Sequence, residues 1–233
     1  MKPLLLNGSP RGRDGNSRQL LGWIAQGLAA AGCETGPTID LAPAPTRAAP
    51  RDAFLAADEV VFAFPLYTDA MPGIVMAFLE SLAGADPHRL RGKRVAFVIQ
   101  SGFPEGIHTE ALAAYLARLC DRLGFRHLGT LRKGGVEAIR MMPPTQVGKL
   151  AARFRAAGQE LGERGSFSPE LVARMAGRRR FGPGMRMLLR LLVATGLANV
   201  YWNTRLKQHG AFACRFDAPY AEPGARAADA AAA

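Results

Sequence analysis

Short apolar runs alternate with longer segments of helical periodicity along the first two thirds of the chain. The apolar runs predict five strands, at residues 4–6, 38–41, 59–64, 94–100 and 127–132, the last of them weaker. The other segments predict helices at residues 17–31, 71–82, 109–123 and 147–161, with a short helical turn at 53–57. Because the strands are continuously apolar and separated by helices, we predict a parallel sheet covered by helices on both faces.

The first predicted strand leads into a long polar loop, residues 7–17, and a helix follows at once. Ser9, Asn16 and Ser17 offer short hydrogen-bond donors in this loop, and Arg11 can form a charged fork to a phosphate. Unpaired backbone N–H groups and the positive end of the helix dipole meet at such a helix N-terminus. The loop therefore predicts a bound phosphate group. The alternative is a plain polar loop without a ligand.

The glycine spacing of this loop narrows the type of phosphate ligand. The glycines at positions 8, 12 and 15 do not fit the G-x-G-x-x-G fingerprint of dinucleotide-binding proteins. No Lys-Ser/Thr pair follows the last glycine, as a nucleoside triphosphate would require. A loop rich in hydroxyl groups and arginine suits a terminal monophosphate better.

Two further strand ends carry unusual loops, residues 65–73 after the third strand and residues 101–106 after the fourth. In an open parallel sheet, ligands bind at the carboxyl ends of the strands, at the point where the strand order reverses. We therefore expect the three loops to meet at one edge of the sheet and to form a single binding site.

Composition limits the class and setting of the protein. The 233 residues suit one α/β domain with an extension, and a hydrophobic content of 48% suffices for a full core. The three cysteines stand alone, which argues against a zinc or iron–sulfur site and for a reducing compartment. The histidines lack metal-ligand spacing, so we predict no metal site. The apolar run at the start is too short for a signal peptide, so we expect a cytoplasmic protein.

The positive charge is concentrated in the C-terminal part of the chain. Residues 1–139 carry 15 basic and 13 acidic side chains, whereas residues 140–233 carry 15 basic and 6 acidic ones. We divide the chain into an α/β domain at residues 1–165, a basic helical extension at 166–221 and an Ala-rich tail at 222–233, which we predict to be disordered.

Within the extension, residues 178–202 combine an arginine run with a stretch rich in Leu and Met that is too short to cross a membrane. Such a segment can contact a membrane surface, or it can pack against the domain or a second subunit. We favour packing and expect a homodimer. We expect no nucleic-acid partner, because a short charge run is usually a solvated face.

Three segments of the chain resemble a known family in sequence and order. They are Gly-Ser-Pro-Arg…Asn-Ser, Phe-Pro-Leu-Tyr-Thr-Asp-Ala-Met-Pro-Gly and Gln-Ser-Gly-Phe-Pro-Glu, beginning at residues 8, 64 and 100. Over residues 3–165 the chain resembles the flavodoxin-like NAD(P)H-dependent FMN oxidoreductases. This resemblance implies a three-layer αβα sandwich with a five-stranded parallel sheet of order 2-1-3-4-5 and FMN at its switch point. The chain departs from the family at Gly15, where a further serine is common, and it lacks the clustered cysteines of iron–sulfur members.

The resemblance also assigns flavin contacts to residues of this chain. Ser9, Arg11, Asn16 and Ser17 would hold the FMN phosphate; Pro65, Leu66, Tyr67 and Thr68 would line the ribityl chain and one side of the isoalloxazine; Ser101, Gly102 and Phe103 would approach the other edge of the ring. Tyr67 would either stack on the ring or pack over the third strand.

We therefore predict an FMN-dependent oxidoreductase in which NAD(P)H reduces the flavin and a small acceptor, such as a quinone or nitro compound, takes the electrons. A flavin accepts hydride without a protein acid or base, so we expect no catalytic dyad. His108 either donates a proton to the acceptor or caps the next helix. The alternative function is a flavodoxin-like electron carrier or flavin-binding module without its own NAD(P)H activity.

Overall fold

Five strands form one parallel sheet in the order β2-β1-β3-β4-β5 in the computed structural model, which describes residues 2–42 and 48–217. The strands are β1 (Leu4–Asn7), β2 (Ile39–Asp40), β3 (Glu59–Pro65), β4 (Arg94–Gln100) and β5 (Arg126–Lys133). The predicted flavodoxin-like sandwich and its strand order are confirmed. The tail predicted at residues 222–233 lies outside the described residues.

Helices alternate with the strands and then continue to the C-terminal side. They are α1 (Asn16–Ala30), α2 (Ala48–Ala56), α3 (Gly73–Glu80), α4 (Pro87–Leu90), α5 (Glu110–Leu123), α6 (Pro144–Arg164), α7 (Pro169–Ala176), α8 (Pro183–Ala194) and α9 (Val200–Gln208). Helix α3 begins at Gly73, later than predicted, because the backbone is still extended at Pro72. Helix α5 ends as predicted, at Gly124, which adopts the left-handed conformation with φ 70°.

The two faces of the sheet carry different apolar side chains, because successive residues of a strand point to opposite faces. The face toward α1, α6 and α7 includes the small side chains of Ala63 and Ala96. The face toward α2, α3 and α5 includes Phe62, Phe64 and Phe97. Phe62 and Phe64 meet edge to face, with ring centroids 5.1 Å apart. Helices therefore cover both faces, as the continuously apolar strands predicted.

Close packing between α1 and α6 fixes the position of α1, whose N-terminus reaches the carboxyl edge of the sheet. A Cβ atom at Gly27 of α1 would lie 1.9 Å from the carbonyl oxygen of Arg155. A Cβ atom at Gly158 of α6 would lie 2.1 Å from the carbonyl oxygen of Ile24. Glycine at both positions lets the two backbones approach, so that the start of α1 is held by the core.

The first compact unit extends to Arg180, beyond the boundary that we placed at residue 165. Helix α7 belongs to this unit, since Phe167, Leu171 and Met175 are buried in the core on the α1 and α6 face. The basic extension therefore begins at Phe181. Helix α7 ends at Ala176, before the arginines at positions 178–180.

The second compact unit begins at Phe181 and contains α8 and α9. The apolar stretch of residues 185–202 does not form one helix. Helix α8 ends at Ala194, Gly196 adopts φ 73°, and a 3-10 turn (Leu197–Asn199) leads into α9. Each helix is thus a short, separate element.

Glu59 and Arg94 form a partly buried ion pair at the amino ends of β3 and β4. Arg94 Nε lies 3.0 Å from Glu59 Oε2, but the geometry is not that of a hydrogen bond. Burial raises the pKa of Glu59 above its ordinary value of 4.5, and the positive charge of Arg94 opposes this only in part. The folded state therefore disfavours the charged carboxylate.

We expect Glu59→Gln to remove a pH-dependent loss of stability. Because the pKa is raised in the folded state, the stability that Glu59 contributes is present below about pH 4.5 and is lost as the pH rises through the folded-state pKa. The free energy of unfolding of the wild type should therefore fall, relative to that of E59Q, as the pH increases across this window. Urea denaturation of both proteins over a series of pH values measures the difference. A difference that does not change with pH contradicts the prediction.

Candidate functional site

The loops that follow β1, β3 and β4 meet at the carboxyl edge of the sheet and line one cleft. The lining residues are Ser9, Arg11, Asn16, Pro65, Leu66, Tyr67, Gln100, Ser101, Gly102 and Glu137. The three loops thus come together as expected for parallel strands. Of the residues predicted to contact the flavin, Ser17, Thr68 and Phe103 do not line this cleft.

Asn7, at the end of β1, organises the first loop. Its Nδ2 donates to the Gly12 carbonyl oxygen at 2.9 Å and to Asp40 Oδ1 at 2.7 Å. Its Oδ1 accepts from the backbone N–H of Ser9 at 3.1 Å. Asp40 also pairs with Arg18. We did not select Asn7 from the sequence. The only indication of its role there is an amide side chain at the end of an otherwise apolar strand.

Gly15 lies against Ser9 where the loop enters α1. A Cβ atom at Gly15 would lie 2.3 Å from Ser9 Oγ and 2.8 Å from Ser9 Cβ. A serine at this position would displace Ser9. Glycine at this position is therefore a steric requirement of the loop as this chain builds it.

The N-terminus of α1 has the properties of an anion site. Gly15 precedes the helix without a side-chain cap, and the first turn contains no acidic residue. The polar side chains of Ser9, Asn16 and Ser17 are buried at this point. Fifteen residues of aligned peptide dipoles, together with Arg11 beside the loop, favour a negative charge here.

A carboxylate of the chain itself already binds this anion site. Arg11 Nη2 donates to Glu137 Oε1 at 2.9 Å, and Arg11 Nη1 donates to Glu137 Oε2 at 3.2 Å. Asn16 Nδ2 lies 3.5 Å from Glu137 Oε2 and donates to the Val136 carbonyl oxygen at 3.1 Å. Both partners of the Arg11–Glu137 pair line the cleft. The volume of the cleft is about 50 Å³, whereas common ligand pockets have volumes of roughly 300 Å³ or more. The pair therefore closes the cleft at the end where a phosphate would bind.

Contacts between the loops after β4 and β5 position Glu137. Val136 N–H donates to the Ser101 carbonyl oxygen at 2.9 Å, and Gly135 N–H donates to the Phe103 carbonyl oxygen at 3.1 Å. A Cβ atom at Gly134 would lie 2.4 Å from the Phe103 carbonyl oxygen, so the two loops touch through their backbones. Sequence reasoning did not select Glu137, because it follows the strand farthest along the sheet from β1.

The three predicted site residues that lie outside the cleft have separate surroundings. Ser17 is buried beneath the loop, its Oγ 3.5 Å from Gln100 Nε2. Thr68 lies at the tip of a tight turn between Tyr67 and Ala70, with a left-handed φ of 46°. Phe103 is 58% exposed to solvent.

The aromatic groups around the cleft remain accessible. Tyr67 exposes 44% of its surface. Phe103 stacks on His108, with ring centroids 4.5 Å apart, and His108 Nε2 lies 3.7 Å from a Glu105 carboxylate oxygen. His108 does not cap α5, whose N-cap residue is Thr109. The helix-capping role considered for His108 is therefore wrong.

Comparison with known proteins supports the fold. The structure of an NAD(P)H:quinone oxidoreductase from Methanothermobacter marburgensis is 17% identical, with a TM-score of 0.53, over 69% of this chain and 96% of that one. An NADH:FMN oxidoreductase in its apo form is 19% identical, with a TM-score of 0.54, over 79% and 98% of the two chains. A flavodoxin from the Archaea is 16% identical, with a TM-score of 0.50, over 70% and 98%.

These identities establish similarity of fold alone, and no curated protein matches the chain. A profile of the flavodoxin-like fold family matches residues 1–159, which is more than half of the sequence. The strand order and the loops at the carboxyl edge agree with that match. This chain therefore belongs to the flavodoxin-like fold family.

Proposed function

We propose that this protein is an FMN-dependent oxidoreductase that transfers hydride from NAD(P)H through bound FMN to a small acceptor such as a quinone or nitro compound. The observation that carries the proposal is the anion site at the start of α1, which lies at one end of the cleft between the loops after β3 and β4. The similar structures named NAD(P)H:quinone oxidoreductase and NADH:FMN oxidoreductase support the same activity.

The residues of the anion site fit the phosphate of FMN. Arg11 holds the Glu137 carboxylate through two parallel hydrogen bonds, and the same fork matches two oxygens of a phosphate. Ser9 and Asn16 add buried donors beside it. A bound phosphate would replace the Glu137 carboxylate at these donors.

We expect the cleft walls to contact the flat remainder of the flavin once the Glu137 carboxylate is displaced. Pro65, Leu66 and Tyr67 form one wall, and Ser101 and Gly102 form the other. The absence of a side chain at Gly102 leaves backbone at the rim, where a planar ligand can approach closely. These residues would bind and orient the ring and exclude water from one side of it.

The hydride chemistry would be supplied by FMN itself when bound. The protein would orient the flavin and supply the charges that bind it. Arg11 and the start of α1 would neutralise the phosphate, and the loops after β3 and β4 would hold the ring. A protein that only binds and orients the flavin needs no catalytic dyad, and we predict none at this site.

Anaerobic addition of NADPH or NADH to the FMN-loaded protein tests the proposal. We expect the visible flavin absorbance to be lost within seconds to minutes and to return when a quinone is added. Dithionite serves as a control that the bound flavin can be reduced. If dithionite bleaches the flavin and neither nicotinamide does, the oxidoreductase function is contradicted.

A flavodoxin-like electron carrier is the second function to consider, because one similar structure is a flavodoxin. A carrier that docks on redox partners is expected to present an acidic rim. Residues 1–139 carry 15 basic and 13 acidic side chains, so this part of the chain has no acidic excess. The charge balance therefore favours the enzyme.

A further inference from the structure

The second compact unit presents many large apolar side chains to solvent. Those exposed by 40% or more are Met185, Met187, Leu188, Leu189, Leu191, Val193, Leu197, Val200, Trp202 and Phe216. No residue of α8 or α9 is buried. Exposed apolar surface of this extent marks a contact with a protein or a membrane.

Apolar side chains surround most of helix α8, and Arg186 and Arg190 occupy the remaining side. Met185, Leu188, Leu189 and Leu192 follow the spacing i, i+3, i+4 and i+7, which forms one stripe along a helix. Arg186 and Arg190 are one turn apart and lie about 130° around the axis from that stripe, at roughly 100° per residue. Met187, Leu191 and Val193 lie outside that stripe and are the most exposed apolar residues of the helix, so its apolar surface covers all but the arginine side, as in an interfacial segment.

The charge of this unit identifies the kind of surface that would cover the stripe. The unit from Phe181 to Ala233 has six basic residues, Arg186, Arg190, Arg205, Lys207, Arg215 and Arg226, against the three acidic residues Asp217, Glu222 and Asp229, and α8 and α9 themselves contain no Asp or Glu. A second copy of this unit would bring the same positive charge to the contact. A negatively charged surface with an apolar layer beneath it matches both properties.

We infer that α8 and α9 dock this protein on the surface of an anionic phospholipid membrane. The stripe of α8 would enter the boundary between headgroups and acyl chains, while the arginines reach the lipid phosphates. Trp202, which is 58% exposed, suits the same boundary. None of the described helices is long and apolar enough to cross a membrane, so the contact is peripheral. This inference does not depend on the proposed flavin chemistry.

Vesicle sedimentation with the full-length protein tests the inference. We expect the protein to sediment with vesicles of phosphatidylcholine and phosphatidylglycerol and to stay in the supernatant with phosphatidylcholine alone. Raising the salt from about 0.05 M to about 0.5 M should release most of it, because screening weakens the attraction. The emission of Trp202 should shift to the blue on binding, while the buried Trp23 adds a constant signal.

Two pairs of substitutions distinguish docking through α8 from a general effect of added negative charge on vesicle binding. Leu188→Glu with Leu189→Glu should lower the vesicle partition coefficient at least about fivefold. The matched control, Ala152→Glu with Ala156→Glu on exposed positions of α6, adds the same charge to the first unit and should keep most of the binding.

Three results would overturn the inference. One is an absence of binding to anionic vesicles at low salt, and another is equal binding to neutral and anionic vesicles. The third is a dimer in analytical ultracentrifugation that the Leu188 and Leu189 substitutions dissociate while vesicle binding is absent, since a second copy would then cover the stripe.

Discussion

Arg11→Ala should weaken FMN binding about 30-fold and leave riboflavin binding unchanged. Arg11 is the cation of the anion site, and 52% of its side chain is exposed, so a water-like dielectric applies. One positive charge about 4 Å from a doubly charged phosphate is worth about 2 kcal/mol in that setting, which corresponds to the 30-fold change. Riboflavin has no phosphate, so it does not use this charge. Titration of the flavin-free protein with each flavin, followed by fluorescence, measures both affinities.

Arg13→Ala is the matched control for this prediction. Arg13 lies in the same loop, but its side chain is 88% exposed and does not line the cleft. We expect its loss to change FMN affinity by less than about threefold, since the charge is screened by solvent. Equal losses in the two variants, or an equal loss of riboflavin binding in R11A, would contradict the assignment of Arg11.

Glu137→Gln should have the opposite effect and tighten FMN binding about tenfold. The Glu137 carboxylate holds Arg11 and lies beside Asn16, so a phosphate must displace it from both. A negative charge left near the bound phosphate repels it by about 1–2 kcal/mol in a largely solvated site, and glutamine removes that repulsion. Riboflavin affinity should change little. The same titration measures the gain.

Asp14→Asn provides the corresponding control, because Asp14 is an exposed acidic residue of the same loop and does not line the cleft. It should leave FMN affinity nearly unchanged. If the Arg11–Glu137 pair served only to stabilise the fold, removing either partner would weaken binding. Opposite signs for R11A and E137Q therefore distinguish an anion site from a structural ion pair, and a loss of FMN affinity in E137Q would contradict the account.

The sheet could be predicted from sequence because its central strands are buried on both faces. Such strands have to be continuously apolar, and β3 and β4 are. The end of the first unit could not be predicted in the same way. Leu171 and Met175 show that α7 has an apolar side, but helical spacing does not say which surface that side packs against. For that reason the sequence does not indicate that the first compact unit extends to Arg180.

Part of the candidate site could be predicted, because the topology of the sheet brings its loops together. Parallel strands send their carboxyl ends to one edge, so Ser9, Leu66 and Ser101 could be expected together. Thr68 could not be placed correctly, because the left-handed turn that carries it to the surface depends on the pairing of Tyr67 with Ala70. Glu137 reaches the site through backbone contacts between distant loops, and no local pattern indicates such contacts.

The most direct test of the account is a titration of the wild-type, flavin-free protein with FMN and, in parallel, with riboflavin. We predict saturable binding of one FMN per chain and binding of riboflavin that is at least about tenfold weaker, since only FMN engages Arg11 and the start of α1. Absence of FMN binding, or equal affinity for the two flavins, would contradict the central claim that the loop after β1 is the phosphate site of a flavin.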